Sequence, residues 1–179
     1  YFFYDLNAKL NYKFSDKDRL FLSTYFGRDV LNFKSNINDF SFDLPYGNGT
    51  ATLRWNHVFS DKLFMNVSAI FNDYDFQFKG GQAEFEARLK SGVRDWNGKI
   101  DFDYFPNPNH SLKFGANYTY HRLTPNIATG TDGTETFSNN LESKFAHESA
   151  FYILDDYKIN NQLAINYGLR FSSFTFLGP

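Results

Sequence analysis

The chain has 179 residues, in which 18 Lys and Arg are balanced by 20 Asp and Glu for a formal net charge of -2. This balance contains no basic run of the kind that binds nucleic acid. The absence of cysteine excludes a disulfide framework, a thiol nucleophile and a cysteine metal site. Aromatic residues make up 21% of the chain although its mean hydropathy is -0.49, so rings and polar groups must be separated regularly, as they are in alternating strands.

Alternation with a period of two starts at once and predicts β-strands. Over residues 1–14 the rings and leucines fall mainly on even positions, and most Asn, Asp and Lys residues fall on odd ones. A polar turn over residues 15–18 leads to a second strand over residues 19–32. The preferred apolar face of this second strand includes Leu20 and Leu22.

A long connection is expected over residues 33–48, because this segment contains Pro, Gly and several Asn residues. Strands resume over residues 50–59 and from residue 63. The second of these continues toward a Gly-Gly pair at residues 80–81, which is expected to end it.

The clearest strands form a hairpin over residues 96–120. Apolar residues occupy its even positions, and mostly polar residues its odd positions, on both sides of a break at residues 106–110. Each arm runs for about ten residues, close to the 9–11 that a tilted strand needs to cross a bilayer. The apolar parity is odd over residues 83–89 and even from residue 96, so a β-bulge or a short break is expected near residues 92–95.

Residues 123–143 are rich in Thr, Gly and Asn and are expected to form a loop. A last hairpin joins residues 146–159 to residues 163–176. Short and long connections would then alternate, which is typical of outer-membrane β-barrels with tight periplasmic turns and long outer loops. Aromatic residues gather near both strand ends, like the two girdles of such barrels. They are Phe14, Phe59, Phe64, Tyr104, Phe105 and Tyr157 beside the short turns, and Phe2, Tyr4, Phe76, Phe78, Tyr118 and Tyr120 at the far ends.

The charged residues decide which strand face would meet lipid. A Lys or Arg on the lipid side of the bilayer midplane costs roughly 2–4 kcal/mol, so the parity that carries Lys99 and Asp101 is expected to line a lumen. The predicted charge network of this lumen wall consists of Arg54, Lys99, Asp101, Asp103, Lys113 and Arg170. The alternating rings are then expected to face the lipid bilayer.

The sequence thus predicts an all-β fold, an antiparallel meander of about eight long strands that forms part of a transmembrane outer-membrane β-barrel. Residues 1–179 are interpreted as a single barrel segment, because both ends fall on the long-loop side, where a complete barrel would not begin and end. A complete eight-stranded barrel acting as an adhesin or structural protein stays an alternative. A soluble all-β binding module is another, although sandwich strands typically run about 5–6 residues.

No constellation of catalytic, cofactor-binding or metal-binding residues stands out, and the chain is not expected to be an enzyme. Metal spacing is absent among the four histidines, His57, His110, His121 and His147. Asp101 and Asp103 lie two residues apart, but a wall charge balanced by Lys99 and Lys113 is favoured over a catalytic acid and base. The candidates for ligand contact from outside are the loop rings Phe40, Phe42, Tyr46 and Phe137.

The last hairpin resembles a recurrent hairpin of TonB-dependent outer-membrane receptors. Asp155, Asp156 and Tyr157 precede its short turn, and the returning strand contains Gly-Leu-Arg followed by Phe at residues 168–171. Residues 102–115 are similar to interior hairpins of the same family.

The resemblance implies a role in import across the outer membrane of a Gram-negative bacterium. In this family a ligand binds the outer loops and a plug domain, and TonB then rearranges the plug inside a barrel of about 22 strands. The implied partners are the lipid bilayer, the plug, the remaining barrel strands and, through the plug, TonB.

The sequence departs from the family by omission, since no plug or TonB-contacting segment is found in it. The chain is therefore expected to supply wall and loops for an unidentified ligand, whether siderophore, glycan or another nutrient. Taken alone, such a sheet is expected to self-associate through its open edges and its lipid-facing rings.

Overall fold

The computed structural model describes residues 1–35, 37, 39–82, 84–132, 135–139 and 141–178. Regular structure in these residues consists of nine strands in one antiparallel sheet. They are β1 (Phe2–Lys13), β2 (Asp18–Lys34), β3 (Phe40–Ser60), β4 (Leu63–Gln82), β5 (Phe85–Asn107), β6 (His110–Asp132), β7 (Glu135–Ser138), β8 (Lys144–Lys158) and β9 (Ala164–Gly178). No helix in this described part is long and apolar enough to cross a membrane.

Eight long strands follow one another as a meander, in the order β1-β2-β3-β4-β5-β6-β8-β9, and the short β7 pairs with the far end of β6. The predicted all-β antiparallel meander is therefore confirmed. The strands are longer than predicted, since β5 and β6 have 23 residues each. At about 3.4 Å per residue such a strand is roughly 75 Å long, more than twice the thickness of a hydrocarbon core.

The prediction of two long connections, at residues 33–48 and 123–143, is wrong, because strands occupy most of these residues. Phe33 in β2 lies opposite Phe42 in β3, and β7 turns back along β6 so that Gly130 lies opposite Phe137. Apolar residues do alternate over residues 40–47, at Phe40, Phe42, Leu44 and Tyr46, but the Pro, Gly and Asn residues give the first segment the composition of a loop. Residues 123–132 lack such alternation. In both segments the strand residues, 33–34, 40–48, 123–132 and 135–138, are paired across the sheet.

Two further boundary predictions also change. The Gly-Gly pair does not end β4, which continues to Gln82. The break expected near residues 92–95 is absent from β5, because its pairing with β4 runs without a shift from Phe85 to Tyr104. An irregularity occurs slightly earlier, between β5 and β6, where Lys90 lies opposite Ile127 and Gly92 opposite Thr124. The extra residue therefore belongs to β6.

The middle of the sheet has one apolar face and one polar face. Val67, Ile100, Ala116 and Phe151 lie opposite one another in a row across four strands. The next residue on each strand points to the other side, which brings Ser68, Lys99 and Asn117 into a polar row. Register also places Leu20 opposite Trp55 and Leu22 opposite Leu53, which confirms the preferred face of β2.

The apolar face becomes charged, and the polar face becomes aromatic, toward the end of the strands that lies away from the short turns. We call this the distal end. On the apolar face, the row of Phe71, Trp96 and Tyr120 is followed two residues on by Asp73, Arg94 and Arg122. On the polar face, aromatic residues replace the polar ones. Phe76 and Phe78 therefore lie on the polar face, not in one girdle with Tyr118 and Tyr120. Near the short turns Phe64, which lies opposite Asp103, and its ring partner Phe105 are likewise on the polar face, not in one girdle with Tyr104.

The sheet is a single open layer in the described residues. β1 pairs with β2 alone and β9 with β8 alone, so that each has one unpaired edge and the sheet does not close. The buried hydrophobic residues of this part are limited to Met65, Ala146 and Ala150, whereas Leu169 and Phe171 on β9 are 79% and 67% exposed. The hydrogen-bonded ladder, not a core, holds these strands together.

The pairing of β7 with β6 predicts a specific disulfide. Thr131 lies opposite Thr136, and directly opposed residues have Cα atoms about 4.5–5.5 Å apart, within the range of a disulfide. Because the chain has no native cysteine, the double variant Thr131→Cys/Thr136→Cys should crosslink rapidly under mild oxidation. Mass mapping of the oxidised peptide measures this.

The matched control shifts the pair by one residue. In Thr131→Cys/Phe137→Cys the two side chains point to opposite faces of the sheet, and crosslinking should be at least about tenfold slower. Equal rates for the two pairs would mean that this segment is the loop expected from its composition.

Candidate functional site

The six charged residues predicted for a lumen wall all lie on the polar face. Register places Lys99 opposite Asn117 and Asp101 opposite Gly115 on this side of the sheet. Arg54 lies opposite Ser68, and Arg170 lies opposite Tyr152. Their position on a common face follows from the alternation, but the sequence could not tell which of them meet.

Four of the six form two ion pairs on neighbouring rows. Lys99 Nζ lies 2.9 Å from Asp101 Oδ2, and Lys113 Nζ lies 3.9 Å from Asp103 Oδ1. The side chains of Lys99 and Lys113 are 40% and 51% exposed, and pairs so open to water contribute little stability. Each of these two pairs neutralises one lysine, whereas Arg54 and Arg170 contact aromatic rings.

Tyr152 on β8 lies between two of these charges, and no motif or spacing in the sequence indicated it. The ammonium of Lys99 and the guanidinium of Arg170 lie 6.0 and 5.8 Å from the centre of its ring. Arg54 stands apart, because its guanidinium lies 4.9 Å from the ring centre of Phe21 on β2. Tyr152 and Phe21 share one pattern, because each is an aromatic residue on the polar face with a cationic side chain over its ring.

Three of the four predicted ligand-contact rings lie together at the distal end of the polar face. Phe42 is the centre, with its ring 5.4 Å from that of Phe33, 6.1 Å from Phe40 and 6.2 Å from Phe78. We call the set of Phe33, Phe40, Phe42, Tyr46, Phe76 and Phe78 the distal aromatic patch. Tyr46 lies opposite Phe76 on the same face.

Phe137 shares this face but does not join the patch. A row of small residues separates it from Phe42, since Gly80, Ala87 and Gly130 lie opposite one another on the three strands between them. With strands about 4.8 Å apart, Phe42 and Phe137 are separated by roughly 19 Å. The Phe78 ring covers the first of these small residues, since its Cζ lies 2.8 Å from the position that a Cβ would take at Gly80.

A hydrogen-bonded pair of polar groups lies at the edge of the distal aromatic patch. The Tyr1 hydroxyl donates to Asp29 Oδ1 over 2.6 Å, and Asp29 lies opposite Tyr46. This bond to a carboxylate raises the pKa of Tyr1 to about 12. The phenol therefore stays a hydrogen-bond donor at any physiological pH.

The histidines have individual partners. Nδ1 of His57 lies 2.6 Å from Asp18, that of His110 lies 2.6 Å from Asp155, and that of His121 lies 2.8 Å from Asp95. His147 contacts the hydroxyl of Tyr118. In the part of the chain that the structure describes, no three His, Asp or Glu residues are grouped so as to hold a metal ion.

Comparison with known proteins yields a likeness of fold. No family model matches the sequence, and no curated protein matches it significantly. The crystal structure of BauA, the ferric preacinetobactin receptor from Acinetobacter baumannii, is similar over 96% of this chain, with a TM-score of 0.66 and 14% sequence identity. The two chains share a fold. This chain spans 33% of the length of BauA.

The ring contacts of Phe42 predict a local effect on the distal end of β2 and β3. Aromatic pairs contribute about 0.5–1.5 kcal/mol each, so Phe42→Ala should open the pairing between Ser35 and Phe40 more often. The Ser35 amide, which donates to the carbonyl of Phe40 over 2.8 Å, should exchange about tenfold faster or more. Hydrogen exchange read by mass spectrometry measures this.

Phe105→Ala is the matched control, because Phe105 has a ring partner, Phe64, at 6.0 Å but lies at the opposite end of β5. It should leave the exchange of residues 33–42 unchanged. Equal acceleration in both variants would contradict a patch held by Phe42.

Proposed function

We propose that this chain forms part of the barrel wall of a TonB-dependent receptor in the outer membrane of a Gram-negative bacterium. The receptor imports a ligand, whether siderophore, glycan or another nutrient, with energy transmitted by TonB. The observation that carries the proposal is the apolar band on one face of the sheet, bounded by aromatic rows and backed by a polar face.

The height of this band fits a bilayer. On β4 the band runs from Leu63 to Phe71, and the residues opposite run from Tyr104 to Trp96 on β5. Eight steps of about 3.4 Å give roughly 27 Å along the strand, or about 21 Å at a tilt of 40°. This is close to the band of about 25 Å that outer-membrane barrels present to lipid.

Aromatic rows at both ends of the band support interfacial girdles. At the distal end, the Trp96 ring lies 5.7 Å from that of Phe71 and 5.7 Å from that of Tyr120. At the other end, beside the short turn between β5 and β6, the Tyr157 ring lies 4.3 Å from that of His110. Rings with a polar atom are favoured where hydrocarbon meets water.

The exchange of faces beyond the distal row supports a receptor whose strands project into the medium. The side that faced lipid becomes charged, as water requires, whereas the side that faced the lumen carries the distal aromatic patch. A ligand entering from outside would meet Phe40, Phe42 and Tyr46 before the charged wall of Lys99 and Arg170. These rings are the proposed ligand contacts.

The proposed partners follow from the surfaces left uncovered. The free edges of β1 and β9 would pair with further strands of the same barrel, because an unpaired edge has no partner in lipid. The plug would contact the charged polar face, and TonB would act through the plug. Without these parts, the isolated sheet would self-associate.

A facing experiment tests the proposal on the complete polypeptide that contains this sequence, in native outer-membrane vesicles. Spin labels are attached to single cysteines at Ile100→Cys on the apolar face or Asn117→Cys on the polar face. The Ile100 label should collide mainly with dissolved oxygen, which partitions into lipid, and the Asn117 label mainly with a water-soluble nickel chelate. Power-saturation electron paramagnetic resonance measures both.

The two sites are matched, because they lie on neighbouring rows of adjacent strands. A reversed order would place the polar face in lipid. Protection of the Ile100 label from both reagents would indicate a buried sheet of a soluble module.

A charge placed on the apolar face should be far more costly than the same charge on the polar face. Ile100→Lys should lower the free energy of unfolding from lipid vesicles by about 2–4 kcal/mol, whereas Asn117→Lys should lower it by less than about 1 kcal/mol. Denaturant titration of the reconstituted complete polypeptide gives both values, and equal costs would contradict the assigned faces.

A further inference from the structure

A basic patch occupies the outward side of the sheet directly beyond the distal aromatic row. Arg94 and Arg122 lie opposite each other, two residues past Trp96 and Tyr120 on their strands. Lys90 follows on the same face of β5. We call Arg28, Lys90, Arg94 and Arg122, together with Asp73 and Asp75, the outer basic patch.

The acidic residues neutralise two of the four bases. Arg94 Nη2 lies 2.6 Å from Asp73 Oδ2, and Arg28 Nη1 lies 3.5 Å from Asp75 Oδ1. Lys90 and Arg122 have exposed side chains and no ion pair within the described ranges. The patch therefore keeps a positive excess, concentrated on β5 and β6.

Gly92 leaves a depression between these unpaired bases. The depression has a volume of about 310 Å³ and is lined by Lys90, Arg94 and Arg122, with Asp73 and Thr124 at its sides. The Nε of Arg94 is buried there and has no hydrogen-bond partner in the described part of the chain. A buried donor without a partner costs free energy unless a ligand or water satisfies it.

We propose that the outer basic patch binds the phosphate groups of an anionic lipid in the outer leaflet, with Lys90 and Arg122 as its main contacts. This inference rests on the proposed function, which places the apolar band in lipid. The patch then begins at the headgroup level, where Arg94 and Arg122 lie one step of about 7 Å beyond the aromatic row, and it extends to Lys90, about 20 Å along β5 from Trp96. Arginine and lysine are the side chains suited to phosphate.

The position of the patch favours a lipid over free phosphate. Trp96 and Tyr120 form the wall immediately below it, so a molecule with both a phosphate and an acyl chain would contact bases and rings together. A soluble anion would contact the bases alone. Because exposed charges attract a free anion weakly at physiological salt, the added apolar contact is what makes the site selective.

Native mass spectrometry of the complete polypeptide in detergent tests the inference. The probes are diphosphorylated lipid A, its dephosphorylated counterpart and inorganic phosphate. The unmodified protein should retain diphosphorylated lipid A, and Lys90→Gln/Arg122→Gln should weaken that retention about tenfold or more. The dephosphorylated lipid should bind weakly to both proteins, and millimolar inorganic phosphate should compete poorly.

Lys9→Gln/Arg19→Gln is the matched control, since it also removes one exposed Lys and one exposed Arg, but from the polar face of β1 and β2. It should retain diphosphorylated lipid A as the unmodified protein does. Equal loss in both double variants, equal binding of the dephosphorylated lipid, or full displacement by inorganic phosphate would overturn the inference. If the spin labels report lipid at Ile100 while Lys90→Gln/Arg122→Gln changes nothing, this inference fails and the proposed function stands.

Discussion

The structure depends on one constraint, the continuous register of eight long strands. Each strand alternates between two faces, so a slip of one residue in any ladder would move its whole apolar set to the polar side. With three buried hydrophobic residues in the described part, no core corrects such a slip. The ladder therefore both holds the sheet together and assigns every side chain to the apolar or the polar face.

The candidate sites lie where the residue types on a face change along the strands. The strands themselves continue there with the same alternation of faces. Below the row of Trp96 and Tyr120 the polar face carries balanced charges around Tyr152, and above it the same face carries the distal aromatic patch. The opposite face changes from apolar to basic at the same height. Two patches of opposite chemistry, one aromatic and one basic, thus lie at one level of the sheet without sharing a residue.

The middle of the sheet could be predicted from the sequence because each face there has one character. Arms such as residues 96–104 alternate strictly, and the charge on Lys99 and Asp101 identifies their common side. The distal strands could not be predicted in this way. Residues 123–132 carry Thr, Asn, Ala and Gly without a clear alternation, and residues 40–48 alternate but contain Pro45, Gly47 and Asn48, which are typical of loops. Cross-strand pairing is what distinguishes both from loops. The contact of Arg54 with Phe21, and the meeting of Lys99 and Arg170 over Tyr152, depend on strand neighbours that periodicity does not identify.

The extra residue of β6 reverses, for the distal part of this strand, which face the even-numbered residues lie on. Between Thr124 and Ile127, β6 has two residues where β5 has only Ser91. One of the two is Pro125, whose missing N–H removes no regular ladder bond at this irregular position. Up to Thr124, the even-numbered residues of β6 lie on the same face of the sheet as Trp96. From Ile127 onward, the even-numbered residues lie on the same face as Phe78. Ala128 and Gly130 therefore lie on the side of Phe78, whereas Tyr118 and Tyr120 lie on the side of Trp96, although all four are even-numbered residues of one strand. A single extra residue thus lets β6 present different sets of side chains to the same face at its two ends.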